Sequence, residues 1–237
     1  MRGLFCFLII LLGMGQSVQA GEKHRPSDAK MVTGWEAVGR LNIAGINMCT
    51  GALIGPDIVL TAAHCLYDTK TGKMVDPTRI EFLAGFDRGQ PKASRRVARA
   101  IVHDKYRYRP KGQAQIGHDL AVLRLERPIS GDVITPFRTE ERPEKGDALG
   151  VIAYSRTNTR SPLLEEPCHV MARRHETLVM SCSVDFGGSG APVLVLHGGQ
   201  NPKLVSVISA KAMVGRTEVS VGTVLDQALK QLLRRAG

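Results

Sequence analysis

The chain has 237 residues, 43% hydrophobic and 23% charged, values near globular averages that exclude fibrous, low-complexity and disordered classes. Lys and Arg number 32 against 22 Asp and Glu, a formal charge of +10, which favours acidic partners or anionic surfaces in general. The arginines at 95, 96, 99, 173, 174, 234 and 235 are scattered without interleaved aromatics, so they read as solvated faces of a basic protein and no nucleic-acid partner is expected.

Met1, Arg2 and Gly3 precede the apolar run LFCFLIILL, and the segment closes on Val18, Gln19 and Ala20. This three-part pattern predicts a signal peptide over residues 1–20. The run is shorter than the roughly 20 residues a membrane helix needs, and no later run is long enough. The mature chain is therefore expected to be soluble, secreted or periplasmic, with no membrane partner. Residues 21–30 are polar and read as a flexible lead-in or short propeptide. Residues 31–135 then carry AVGRLNI, CTGALI, DIVLTA, RIEFLAG, RRVARAIVH and DLAVLRL, and residues 136–237 carry DALGVIAY, CHVMARR, TLVMSC, APVLVLH, KLVSVIS and TEVSVG. Short runs of Val, Ile and Leu between turn residues are strand signals. Only residues 224–235 have helical spacing, with Leu225, Ala228, Leu229, Leu232 and Leu233 on one stripe. That helix is expected to close the chain by packing on the second half.

Chemistry concentrates in LTAAHC, which presents His64; in HDLAVLRL, where Asp119 opens an apolar strand; and in DFGGSGAPVLVL, where Ser189 sits in a glycine-rich turn. A serine hydroxyl is a poor nucleophile until a neighbouring base takes its proton. His64 is the candidate base, and Asp119 the carboxylate that fixes its tautomer and stabilises the imidazolium. Gly187 and Ser189 are candidate oxyanion-hole donors through their backbone N–H groups, each worth roughly 3 kcal/mol of barrier by analogy. No cofactor motif, phosphate loop or helix-borne metal motif accompanies them.

TAAHC, DLAVLRL and the G-x-S-G-x-P turn resemble, in the same order, the motifs of trypsin-like serine proteases of the chymotrypsin clan. The order His, Asp, Ser excludes the α/β-hydrolase arrangement. The resemblance implies an all-β fold, two six-stranded antiparallel β-barrels with a C-terminal α-helix forming one peptidase domain, with the site between the barrels. It also implies a protein or peptide substrate and a monomer that needs no cofactor. The turn reads GGSGAP where animal digestive enzymes have GDSGGP, so Gly188 stands where their aspartate pairs with a cleaved N-terminus, and that activation switch is not carried over. The chain is more similar to the bacterial glutamyl-endopeptidase-like (V8-like) branch. By the same resemblance Ser183, Ile208 and Ser209 are candidate specificity-pocket residues. They offer neither trypsin's pocket aspartate nor the histidine of acid-specific enzymes.

Of five cysteines, Cys6 leaves with the signal. Cys49, Cys65, Cys168 and Cys182 suggest two disulfides in an oxidising compartment, and spacing alone does not choose among the three pairings. Cys168, His169, His175 and Cys182 form an alternative zinc set, although their spacing is not that of a zinc finger. The family resemblance implies the pairs Cys49–Cys65 and Cys168–Cys182 and no metal. A rival reading of the whole chain is a catalytically silent binding module that keeps the fold and holds an acidic partner on its basic surface.

Overall fold

A computed structural model describes residues 21–28, 33–109, 115–139, 143–195 and 202–237. The expected signal peptide lies outside the described residues. Among the described residues fourteen strands and one α-helix follow one another: β1 (Glu22–His24), β2 (Val38–Ile43), β3 (Asn47–Gly55), β4 (Ile58–Thr61), β5 (Ile80–Ala84), β6 (Ala93–Val102), β7 (Ala121–Leu125), β8 (Arg138–Thr139), β9 (Ala148–Ala153), β10 (Leu163–Arg174), β11 (Thr177–Met180), β12 (Pro192–Val195), β13 (Lys203–Val214), β14 (Thr217–Val224) and α1 (Asp226–Ala236).

Strands β2 to β7 close into a barrel in the order β2-β3-β4-β7-β6-β5. Its interior is filled by alternate residues such as Leu41, Ile43, Ile80 and Phe82, all at most 1% exposed, as period-two alternation requires. The second sheet runs β1-β10-β11-β14-β13-β12-β9, and the pairing of β10 with β9 closes six of its strands into a second barrel. Leu149, Val151, Val170, Leu178, Met180 and Val193 fill that barrel. Closure leaves neither barrel with a long open edge. The architecture is all-β and chymotrypsin-like, and each of the twelve runs singled out in the sequence contributes a strand.

Two features differ from expectation. Glu22–His24, in the segment read as a flexible lead-in, forms β1 and pairs antiparallel with β10, Lys23 opposite Glu165. The helix packs on the first barrel: Leu225, Leu229, Leu232 and Ala236 join that barrel's core, Arg124 of β7 donates to the Ala236 carbonyl, and Arg235 donates to the carbonyl of Val102 in β6 at 3.0 Å. An apolar stripe tells that a helix has a buried face without telling which surface receives it. Among the described residues no helix is long and apolar enough to cross a membrane.

Candidate active site

His64 lies in a short 3-10 turn, Ala63–Leu66, at the end of β4, and Asp119 follows a similar turn, Ile116–His118, just before β7. β4 and β7 are paired neighbours, with Thr61 opposite Ala121, so barrel closure brings the two residues together. Asp119 is 1% exposed. Its Oδ1 accepts the His64 backbone N–H at 2.8 Å and its Oδ2 meets His64 Nδ1 at 2.6 Å. With Nδ1 donating to the carboxylate, Nε2 is left as the acceptor on the ring, the tautomer a general base needs. Burial pulls the imidazole pKa down, but the Asp119 charge and hydrogen bond outweigh it and hold the pKa above 6.5.

The second barrel holds the same carboxylate. Ser209 of β13 donates its hydroxyl to Asp119 Oδ2, and Thr223 of β14 donates to the carbonyl of Ile116, at the start of the turn that delivers Asp119. A buried carboxylate with its oxygens occupied stays where it is put. These two supports had no signal in the local sequence, because their role depends on the register of β13 and β14.

Ser189 occupies the turn before β12 and is partly exposed. Its carbonyl accepts the Thr50 N–H at 2.9 Å. A Cβ on Gly190 would stand 2.2 Å from Thr61 Oγ1 and 3.1 Å from Ala62 N, so the turn presses against the end of β4 that leads into His64. Only glycine fits that approach and the φ of +78° found there. Gly190 N–H donates to the Ile208 carbonyl at 2.8 Å and Ile208 N–H to the Ala191 carbonyl at 2.9 Å, tying the turn to β13 beside Ser209.

Gly187 has φ +103°, and a side chain there would meet Met48, Ser155 and the Arg156 backbone. The carbonyl of Phe186 accepts the Arg156 N–H at 2.8 Å. In a trans peptide C=O and N–H point opposite ways, so this bond fixes the Gly187 N–H on the other side of the peptide plane. Among the described residues neither the Gly187 nor the Ser189 N–H donates to a protein acceptor. Two unspent backbone donors flanking a hydroxyl suit a developing oxyanion.

Gly188, the position where digestive enzymes carry aspartate, has no room for one: a Cβ would stand 2.1 Å from Val184 Cγ1. Order at the start of this loop comes from elsewhere. Ser183 donates its N–H to Glu165 Oε1 at 2.7 Å, and its carbonyl accepts from Lys23 Nζ at 2.6 Å. Lys23 Nζ also lies 3.7 Å from the buried Glu165 carboxylate. Burial pushes the Glu165 pKa up, and the Ser183 N–H and Lys23 counteract it. The ammonium from β1 and the carboxylate from β10 thus clamp one peptide strand of the nucleophile loop.

The three residues expected in a specificity pocket each have a defined contact or burial. Ser183 donates its hydroxyl to Glu218 at 2.7 Å, Ile208 is 3% exposed within the second barrel's core, and the Ser209 hydroxyl is engaged by Asp119. Around Ser183 the polar groups are ones the sequence did not single out, Glu218 and Asp185, both paired with Lys211 at 2.6 and 3.4 Å.

Cys49–Cys65 and Cys168–Cys182 are disulfides with Cα–Cα distances of 6.2 and 5.2 Å. Oxidised sulfurs are not thiolate ligands. The zinc alternative at Cys168 and Cys182 therefore fails, as does the cluster of Cys49, His64 and Cys65 as a metal site.

The trypsin family model matches residues 27–230, and the chain belongs to this family of chymotrypsin-clan serine proteases. It is 36% identical over 96 residues to a modular serine protease of Drosophila melanogaster, 38% of this chain and 15% of that protein. It is 30% identical over 95 residues to transmembrane protease serine 11G of Rattus norvegicus, 40% of this chain and 20% of that protein. The matched stretch is thus a small part of those relatives. Among solved structures, a Glu endopeptidase in complex with MPD aligns with a TM-score of 0.74 at 19% identity, covering 92% of this chain and 97% of its own. Protease Anisep from Arthrobacter nicotinovorans aligns at 0.69 and 15%, covering 91% and 99%. These likenesses carry the two-barrel fold.

Proposed function

We propose that the chain is an exported serine endopeptidase that cleaves peptide bonds of a protein or peptide substrate through an acyl-enzyme. Ser189 Oγ attacks the scissile carbonyl as His64 Nε2 takes its proton. Asp119 keeps the ring in the required tautomer and stabilises the imidazolium. The oxyanion of the tetrahedral intermediate is received by the Gly187 and Ser189 N–H groups. Collapse of the intermediate breaks the C–N bond, and His64 returns the proton to the leaving amine. Water, deprotonated by the same imidazole, then attacks the ester and releases Ser189.

The observation that carries this reading is the buried Asp119 carboxylate, bonded to both the N–H and Nδ1 of His64 and to Ser209. A silent binding module has no need of an imidazole so oriented. Export rests on the signal pattern of residues 1–20 and agrees with two disulfides, which persist in oxidising compartments.

The test is the pH dependence of peptide hydrolysis. Since kcat/KM reports the free enzyme's essential groups and the His64 pKa is raised, activity is expected to climb with pH through a midpoint above 6.5. A flat profile across neutrality speaks against His64 as the base.

A further inference from the structure

A groove of about 790 Å³ starts beside the nucleophile turn and crosses the outer face of the first barrel. Strand register sets its floor: Met48, Asn42, Glu81 and Arg96 form one lateral row across β3, β2, β5 and β6. Three interstrand spacings of about 4.8 Å make a row of about 14 Å, the reach of about four residues of an extended chain. One end is fixed at the site. Met48 Cε lies 2.7 Å from where a Gly187 Cβ would stand, and Arg156, also in the lining, holds the Phe186 carbonyl.

The groove is strongly positive. Arg40, Arg79, Arg96 and Arg156 line it, with Glu81 the acidic residue among them, and Glu81 accepts the Ser94 hydroxyl at 2.6 Å. Among the described residues none of these four guanidinium groups pairs with a carboxylate, whereas Arg25, Arg88, Arg124, Arg173 and Arg235 each do. Neutral groups hold three of them instead. Arg40 donates to the Thr159 carbonyl at 3.0 Å and lies 5.3 Å from the Phe86 ring centroid. Arg79 reaches the Ala44 carbonyl at 3.5 Å, and Arg156 sits over Phe186 at 5.8 Å. The Arg40 Nε is buried with no hydrogen-bond partner. A buried guanidinium N–H left without an acceptor is costly, and neighbouring like charges repel unless an anion sits between them.

We infer that this groove binds the substrate segment that follows the scissile bond and selects aspartate or glutamate within it. The inference rests on the peptidase reading of the site. Carboxylates of an extended peptide would meet planar guanidinium forks that already lack anionic partners. A polyanion such as a nucleic acid is the less apt occupant, because the row is peptide-length and continuous with the nucleophile turn.

The test uses the full mature chain with Ser189→Ala, so that nothing is cleaved, and fluorescent peptides with Glu and Asp, or Gln and Asn, at the positions after the bond. Acidic peptides are expected to bind about tenfold more tightly at low salt, with the gap closing at high salt. In Arg79→Gln/Arg96→Gln the preference is expected to vanish, and in Arg96→Glu it is expected to shift toward Lys-bearing peptides. Equal binding of the acidic and amide peptides, binding of neither, or a preference that survives the double substitution overturns the inference. Serine-directed labelling of the unsubstituted chain reports separately on the peptidase reading: a failure there with the acidic preference intact removes catalysis and leaves the groove.

Discussion

Asp119 is the residue on which the electrostatics of the site turn. It is nine-tenths of the way and more out of solvent, at 1% exposure, yet its oxygens accept from His64 twice and from Ser209. Asp119→Asn keeps the shape but turns a pure acceptor into a donor toward Nδ1, so the ring flips to the tautomer that cannot take the Ser189 proton. A fall in kcat of about 10⁴ with little change in KM is expected, by analogy with the triad template. Steady-state kinetics measure it, and a similar loss in KM instead would assign Asp119 to binding. The same substitution removes the influences that raise the His64 pKa and leaves only burial, which lowers it. NMR titration of His64 in the variant should therefore move its midpoint downward. At this scale the paired His64 and Asp119 were legible because each sits in a short local motif. Thr223, Lys23 and Glu165 were not, and Ser209 was singled out only as a pocket candidate, because their contacts depend on the register of strands far away in sequence.

Among elements, the strands that pattern-reading found are those with a buried face, and the ones it missed are short and polar. β1 is EKH and β8 is RT, with no residue fully buried in either, so neither carries a hydrophobic period. β1 nonetheless delivers Lys23 to the Ser183 carbonyl. Lys23→Met should leave Glu165 without its cation and, because the Lys23 side chain is 37% exposed and such pairs are screened by solvent, cost only about 1 kcal/mol, together with a slower rate of serine acylation. Unchanged thermal stability and acylation in the variant would mean that the clamp is idle. In α1 the adjacent leucines divide: Leu232 is 1% exposed and Leu233 38%. Leu232→Ala should lose about 2–5 kcal/mol, and Leu233→Ala much less, as surface changes stay within about 0.5 kcal/mol. Urea unfolding decides between them, and the reverse order would contradict the docking of α1 on the first barrel. The stripe read from sequence included Leu233 because it shares the general arc, and only packing distinguishes its edge from its centre.

For the whole molecule, the two barrels divide the work. In the proposed mechanism the first supplies His64 and Asp119, and the second supplies Ser189, the unspent N–H donors, the Ser209 hydroxyl that reaches back to Asp119, and the Thr223 hydroxyl on the Ile116 carbonyl. Displacing one barrel against the other would break the Ser209 and Thr223 bonds while sparing those between His64 and Asp119, so barrel packing and the placing of Asp119 are coupled. Sequence motifs in family order already implied this division. The barrel that receives α1 and the lateral row of the basic groove needed strand register, which no one-dimensional pattern contains.

The most direct test of the central claim is the reaction of the folded, oxidised mature chain with a fluorescent fluorophosphonate, read by intact mass beside a Ser189→Ala control. Covalent modification of one serine in the parent chain and none in the control is the expected result. Absence of modification in folded protein, or modification that persists without Ser189, would contradict an activated nucleophile at this position and favour the silent binding module.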